Sequence, residues 1–341
     1  MSNDSSTATG DQPSLRDVGP GAYISGVYAV QNPQVGSTRQ GKPYLKCVLR
    51  DATGDVPARK WTFESADLAP ITAAGFVRIS GHTQTFNGQI QLILDGVEPA
   101  QVTESEMIRL MPATKFDVDE MFADVTTMLQ SLEHPAMRAL ADAYLGDEEL
   151  MRRFRVAPAA VSNHHAWIGG LLEHTRQLMR TADAILPFYP DLNRDIVLLG
   201  LFLHDLGKTT ELTWERGFAY TVEGNLVGHL VSGAIWLQVK AAIAGRTGPR
   251  LPTAALKVLQ HIVVSHHGRL EYGAAKVPST PEAIFVSEMD NMDAKVTTAL
   301  TAADRERVDP AAEGPAAFTD NNWALGTRVY RPDPLAADVP E

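Results

Sequence analysis

Apolar residues recur at every second position from Gly21 to Val97, and at every third or fourth from about Val161 to Val308. A period of two buries one face of a strand, and a period of 3.6 buries one stripe of a helix. A run of strands followed by a run of helices calls for a multidomain α and β chain rather than one alternating layer structure. The 341 residues suffice for two domains at roughly 100–200 residues each. In the first half AYISGVYAV, PYLKCVLRD, VPARKWTFE, GFVRISGHTQTF and GQIQLILDGV read as five strands. Breaks at NPQVG, DATGD and FNG separate four of them, and the polar SADLAPITAAG precedes the fourth.

Between the halves, DVDEMFADVTTMLQSL, HPAMRALADAYL and DEELMRRF are charged helical patterns, with Met121, Val125, Met128 and Leu132 on one face. The opening MSNDSSTATGDQPSLRD has neither the basic start nor the apolar core of a signal peptide, and its composition suits a disordered lead-in. The expected division is therefore a lead-in at 1–19, a β domain at 20–103, a helical connector at 104–160, an α domain at 161–312 and a tail at 313–341. That tail is rich in Pro and Gly, carries Trp323 and Tyr330, and ends acidic.

Composition narrows the setting. No apolar run approaches the ~18 residues needed to cross a bilayer. The single cysteine, Cys47, excludes an internal disulfide and a cysteine-based zinc site. A cytoplasmic protein with no membrane partner is expected. The net charge of −11 argues against broad contact with phosphate backbones. Residues 20–100 nevertheless hold seven Lys/Arg against six acids, and six of those bases fall between Arg39 and Lys60. Five short antiparallel strands in about 80 residues suit a small Greek-key barrel of the OB type. The order resembles OB-folds that bind single-stranded nucleic acid, in YLKCVLRDATGDVPARKW followed by VRISGHTQTFNGQIQLIL. On such barrels aromatic rings stack bases and basic groups follow the backbone. Tyr44, Trp61, Phe63 and Phe86 are the stacking candidates, with Lys46 and Arg59 the basic ones; filling the barrel is the competing role for each ring.

The helical half carries the histidines. Of ten in the chain, only His82 and His134 lie outside residues 164–267. His174 falls within the apolar stripe Leu171, Leu178, Ile185; His229 joins Leu226, Leu230, Leu237; and His266 continues Leu256, Leu259, Val263. The apolar run Ile196–Leu203 ends in His204-Asp205. Burying a carboxylate costs several kcal/mol unless a proton, a counter-charge or a metal accompanies it. One inward histidine usually satisfies itself on a backbone carbonyl. Four of them near one buried carboxylate suit a divalent cation, whose preferred ligands are neutral imidazole and carboxylate. Asp205 has two oxygens and can bridge two ions.

His174, His204-Asp205 and a later aspartate in SEMDNMDAKV make the H…HD…D pattern of the HD phosphohydrolase superfamily, and His229 with SHHG is similar to its binuclear members. NHHAWIGGLLEHT, LFLHDLGKTTEL, EGNLVGH, SHHGRLEYGAAKVPSTPEA and DNMDAK, in this order behind an OB-like barrel, resemble the YhaM family of 3′–5′ exoribonucleases. The resemblance spans about residues 20–300. It implies one cation on His174, His204, Asp205 and Asp290, and a second on Asp205, His229 and one or both of His266 and His267. Asp290 matches the superfamily position better than Asp293, which lies at i+3. Asp205 and Lys208 become catalytic candidates, Lys208 as a phosphate contact unless it is merely solvated. His165 would donate to the scissile phosphate or cap the pocket. His164 reads as loop and His261 as structural, and AAKVPST is expected to form a nearby loop in which Lys276 is a candidate phosphate contact.

The implied cofactors are two divalent ions, manganese first, with magnesium, cobalt or iron as alternatives. The implied reaction is hydrolysis of single-stranded RNA from its 3′ end to nucleoside 5′-monophosphates by a metal-activated water. Accordingly no G-x-S-x-G, Walker A loop or dinucleotide fingerprint is present. Two other functions compete: an HD phosphohydrolase of free or cyclic nucleotides with a regulatory barrel, and a single-strand binding protein with a dead HD scaffold. RNA against single-stranded DNA, and monomer against homo-oligomer, stay open.

Overall fold

The computed structural model describes residues 12–38, 40–86, 89–103, 106, 110–162, 164–215, 217–304 and 314–335. Two compact units are distinguished: residues 1–113 with 214–218, and residues 114–213 with 219–341.

The first unit is a closed barrel of β1 (Tyr23–Ser37), β2 (Pro43–Arg50), β3 (Asp55–Trp61), β4 (Phe76–Phe86) and β5 (Gln89–Pro99). Its order is β1-β2-β3-β5-β4, antiparallel throughout except for the parallel pair β3–β5, and β4 closes back on β1. The alternation does what a half-buried strand requires. Leu45, Cys47 and Leu49 of β2, Val56 and Ala58 of β3, Val77 and Ile79 of β4, and Leu92 and Leu94 of β5 all point into one core with Tyr28. Expectation and structure differ at three places. NPQVG is no break: β1 runs through it on a register shift between Gln31 and Gln34, with Asn32 at φ 48°. A bulge there lets Pro33 sit in a strand without owing the ladder a hydrogen bond. The turn comes later, where Thr38 N–H reaches Lys42 O at 2.9 Å.

SADLAPITAAG contributes α1 (Leu68–Ala74), which drops Ile71 into the core and stops at left-handed Gly75. Ordered structure also begins before residue 19. Leu15 is buried in the barrel core, its N–H donates to Asp51 Oδ2 at 2.8 Å, and Tyr28 Oη donates to Pro13 O. Residues 1–11, Arg39, Asn87 and Gly88 lie outside the described residues.

The second unit is helical: α2 (Val118–Gln130), α3 (Pro135–Leu145), α4 (Glu148–Val156), α5 (Gly170–Ile185), α6 (Arg194–Leu203), α7 (Lys208–Glu211), α8 (Val222–Leu226), α9 (Gly228–Thr247), α10 (Thr253–Ser265) and α11 (Pro281–Asp304). A two-residue pair, β6 (Leu212–Thr213) with β7 (Ala219–Tyr220), joins α7 to α8. The side chains of Asp117, Asp147 and Asn193 accept backbone N–H groups at the starts of α2, α4 and α6. On α2 the buried face is Met121, Val125, Leu129, an i, i+4, i+8 ridge, while Met128, expected on that face, is half-buried. Helix α6 packs against α5, α10 and α11. Every residue from Asp195 to Leu203 is buried, which explains the unbroken apolar run. Residues 314–335 form a small hook in which Phe318 bridges Tyr330, while Trp323 is exposed. Residues 305–313 and the acidic end, 336–341, lie outside the described residues. No helix among the described residues is long and apolar enough to cross a membrane.

Candidate active site

Five segments of the helical unit deliver the site. His174 lies in the second turn of α5, His204 and Asp205 follow the last turn of α6, His229 opens α9, His266 and His267 follow α10, and Asp290 and Asp293 lie midway along α11. Two glycines permit the approach. A Cβ on Gly207 would stand 2.4 Å from His229 O, so only glycine lets the turn after Asp205 nest on the start of α9. Gly207 has φ −59° and caps α7. A Cβ on Gly170 would likewise strike His165 O at 2.1 Å.

Four imidazoles are oriented alike. His204 Nδ1 donates to Leu201 O at 2.6 Å and His266 Nδ1 to Val263 O at 2.9 Å. His174 Nδ1 pairs with Asp293 Oδ2 at 2.7 Å, and His229 Nδ1 lies 2.7 Å from Glu211 Oε2. With the proton held on Nδ1, each ring in its neutral form turns an Nε2 lone pair to the interior. These lone pairs crowd: His174 and His204 Nε2 are 3.4 Å apart, and His229 and His267 Nε2 are 3.2 Å apart.

Asp205 stands between them with its oxygens divided. Oδ1 faces His266 Nε2 at 3.3 Å and His229 Nε2 at 3.5 Å; Oδ2 faces His204 Nε2 at 3.4 Å and His174 Nε2 at 3.8 Å. Asp290 Oδ1 approaches His174 Nε2 at 3.3 Å. Asp205 Oδ1 and His266 Nε2 are buried without a hydrogen-bond partner. A buried carboxylate oxygen beside imidazole lone pairs is stable only with positive charge between them. Donors bound at about 2.1 Å to one cation stand roughly 3.0–3.4 Å apart, so the spacing suits metal ligation. The residues present thus fit two cations sharing Asp205.

Electrostatics agree. Burial opposes the charge on Asp205, yet Lys208, whose Nζ is 2.7 Å from Oδ2, and His204 hold the carboxyl well below its usual range. Burial pushes His267 down to about 3 and lowers His266 as well, leaving both neutral as ligands must be. His174 is the exception: burial lowers it, but Asp290 and Asp293 override that and raise it to about 9.

All seven expected ligands are brought together: His174, His204, Asp205, His229, His266, His267 and Asp290 contribute to mutually close donor sets. Asp293 takes a different part, because its Oδ2 accepts from His165 Nε2 at 2.9 Å as well as from His174. That corrects the expectation for His165. It is 1% exposed at φ 51°, and its Nε2 is committed to Asp293 rather than turned to an open pocket. Lys208 is not simply solvated, since its ammonium is tied to Asp205. His164 stands closer than a loop reading implied, with its ring 5.9 Å from that of His174. His261 accepts from Ser279 N at 2.9 Å and anchors the AAKVPST loop; Lys276 is exposed. Glu211 was not foreseen, because a lone glutamate after a glycine turn carries no periodic signal.

The barrel presents a second constellation on its outer face. Tyr44 pairs with Trp61 and Lys46 with Arg59 across β2 and β3. The Arg59 guanidinium lies 5.8 Å from the Tyr44 and Trp61 ring centres and 5.6 Å from that of Phe86. Trp61 and Phe86 are 44% and 49% exposed, and Lys46 is exposed. Phe63 departs from its expected stacking role: it is buried in the core because it lies past the end of β3 and folds inward.

The HD domain family matches residues 171–295, and an HD domain implies divalent-metal binding. The 3′-5′ exoribonuclease YhaM of Bacillus velezensis is 30% identical over 314 residues, 92% of this chain and 96% of that protein. Its counterpart in Bacillus pumilus is 31% identical over 307 residues, 89% of this chain and 93% of that one. Among solved structures, the second OB-fold domain of replication protein A from Methanococcus maripaludis matches 27% of this chain and 96% of its own, at 14% identity and a TM-score of 0.21. The full-length kinship with the curated relatives, together with a split-carboxylate histidine cluster behind a five-stranded barrel, places this chain in the YhaM family of 3′–5′ exoribonucleases.

Proposed function

We propose that the protein hydrolyses single-stranded RNA from its 3′ end to nucleoside 5′-monophosphates, using two divalent cations of which manganese is the first candidate. The observation that carries this is Asp205, buried, ionised and facing a different set of imidazoles with each oxygen. His174, His204, Asp205 and Asp290 would hold one cation; Asp205, His229, His266 and His267 the other. Such cations, when bound, lower the pKa of a coordinated water and offset charge on the phosphate oxygens.

The chain's own residues do the rest. Lys208 holds Asp205 ionised and supplies a positive charge to a non-bridging phosphate oxygen. His165 and Asp293 fix the His174 ring, and Glu211 fixes that of His229. On the barrel, residues 20–103, the rings of Tyr44, Trp61 and Phe86 offer stacking surfaces, and Lys46 and Arg59 offer phosphate contacts. Tethering that surface to the HD unit keeps the strand at high effective concentration between cuts. The place of action we infer is the cytoplasm, where the lone buried thiol of Cys47 stays reduced.

The test is digestion of 3′-labelled and 5′-labelled single-stranded RNA by one metal-analysed preparation. Stepwise loss of the 3′ label as mononucleotide supports the reading. Turnover restricted to free or cyclic nucleotides in a parallel panel, or RNA cleavage surviving in the His204→Ala/Asp205→Ala protein, rules it out.

A further inference from the structure

One cavity touches the cation site without belonging to it. It has a volume of about 280 Å³ and is lined by His267, Arg269, Tyr272 and Val277 from the loop after α10, and by Ser287, Glu288, Asn291 and Lys295 from α11, among others. Residues 284, 288, 291 and 295 follow one another at i+3 and i+4, with 287 at i+3 from 284 and i−4 from 291, so they line one side of α11. Asp290 is one helical step, ~100°, from Asn291. His267 is shared, with Nε2 against His229 while its ring walls the cavity. The cavity therefore begins where the second set of ligands ends.

Its lining is held in place and unspent. Backbone bonds from Arg269 N to His267 O, Tyr272 N to Arg269 O and Ala274 N to Arg269 O fix the loop, and the Arg269 guanidinium lies 5.8 Å from the Tyr272 ring centre. Ser287, Glu288, Asn291 and Lys295 make no side-chain hydrogen bond or ion pair among the described residues. That volume lies just below the roughly 300–1,000 Å³ spanned by ligand pockets, a size for one small unit of a strand and not for several.

We propose that this cavity seats the 3′-terminal nucleoside of the strand, with Tyr272 against the base and the Glu288 carboxylate accepting from the 2′- and 3′-hydroxyls of its ribose. The inference rests on the exonuclease reading above and adds what that reading leaves open, the choice of sugar. A 3′–5′ cut that yields a 5′-monophosphate puts the terminal nucleoside on one side of the attacked phosphorus, next to the cations. A cavity sharing a wall with the ligands is where that unit must go. Two adjacent hydroxyl donors match the two oxygens of a carboxylate, the pairing by which acidic residues bind ribose in dinucleotide folds. Arg269 and Lys295 at the rim keep the surroundings positive for the phosphate. A 2′-deoxy end loses one of the two hydrogen bonds, and a 3′-phosphate meets the Glu288 charge head on. Because Glu288 is exposed, discrimination falls well short of the 10⁴-fold or more of fully buried sites.

The experiment uses one RNA body with three endings: ribose, 2′-deoxyribose, and ribose 3′-phosphate. Removal of the first nucleotide is timed with the manganese-loaded full chain. The ribose end should be removed about tenfold faster than the deoxy end, and the 3′-phosphate end should be slowest. In Glu288→Gln the ribose-to-deoxy ratio should fall below about threefold, and the 3′-phosphate end should gain. Tyr272→Ala should weaken all three endings alike and leave the ratio standing. Calorimetric titration of adenosine and 2′-deoxyadenosine 5′-monophosphates into the manganese-loaded protein reads the same preference without turnover. Equal handling of ribose and deoxy ends by the native protein, or an unchanged ratio in Glu288→Gln, overturns the sugar assignment while RNA degradation itself continues. Absence of RNA degradation from any ending overturns the exonuclease reading and the cavity assignment together.

Discussion

The barrel face and the helical cluster are both built from aromatic rings and charges, but they are built in opposite ways. Tyr44, Lys46, Arg59 and Trp61 are near neighbours along two paired strands, and they remain in contact with water. The cluster draws on α5, α9, α10, α11 and the turn after α6, and its donors are nearly all buried. A surface assembled from adjacent residues loses function gradually, one ring at a time. A buried cluster whose lone pairs and carboxylates need each other, and need positive charge, fails as a unit.

The sharpest break of that contrast is Asp205→Ala. It should cut RNA turnover by about 10³-fold or more, on the scale of removing a principal electrostatic group from an active site. Bound manganese should disappear on elemental analysis, while RNA retention by the barrel, followed by fluorescence anisotropy, persists. Next, Asp293→Asn, which leaves His174 and His165 without their shared acceptor, should weaken manganese binding about 10- to 100-fold. Calorimetry would show this, and a result within twofold of the native protein would remove Asp293 from the ligand-orienting set.

Acidity sharpens the comparison further. In the metal-free centre His174 titrates at about 9. Below that pH a proton must leave before a cation binds, so manganese affinity should fall by about tenfold for each unit of acidification from pH 8.5 to 7.5. The same raised value stabilises the metal-free fold fully below the unfolded pKa of 6.5, and that contribution fades as pH climbs through about 9. Chelated protein should accordingly melt at a lower temperature at pH 9.5 than at pH 7, a trend that metal should suppress.

On the barrel, Trp61→Ala should weaken single-strand binding by roughly 1–3 kcal/mol with metal content untouched. The smallest effect belongs to Lys46→Ala, a loss of a few-fold whose signature is a reduction of about 0.7 in the salt slope of binding. If Trp61→Ala proved as damaging to turnover as Asp205→Ala, the graded picture of the barrel would be wrong.

The two regions also differ in how much of each can be read from sequence. Period-two alternation puts Leu45, Cys47 and Leu49 inside and Tyr44 and Lys46 outside, and the structure agrees. It misses the passage of β1 through Pro33, because a bulge is a register event between strands and leaves no mark in one strand's pattern. It also misses α1, seven residues being too few to display a helical period. In the helical unit the inward stripes identify His174, His229 and His266, since a polar residue among apolar ones at helical spacing is conspicuous. What they cannot supply is the division of labour between Asp290 and Asp293. Three positions apart, both face the same way, and only the placement of His165 decides which meets the ligand face of His174 and which its back. Glu211 is hidden for a related reason: its partner is eighteen residues on, across a hairpin.

The four oriented imidazoles divide into two kinds. His204 and His266 lean on Leu201 O and Val263 O, backbone carbonyls one turn earlier in their own helices, while His174 and His229 lean on the carboxylates of Asp293 and Glu211. No side-chain replacement at 201 or 263 deletes its acceptor, so half of the orientation is beyond the reach of point mutation. The other half is exposed to it. Variation in metal preference across such a chain's descendants should therefore collect on the acidic props and leave the peptide-propped pair aligned as before.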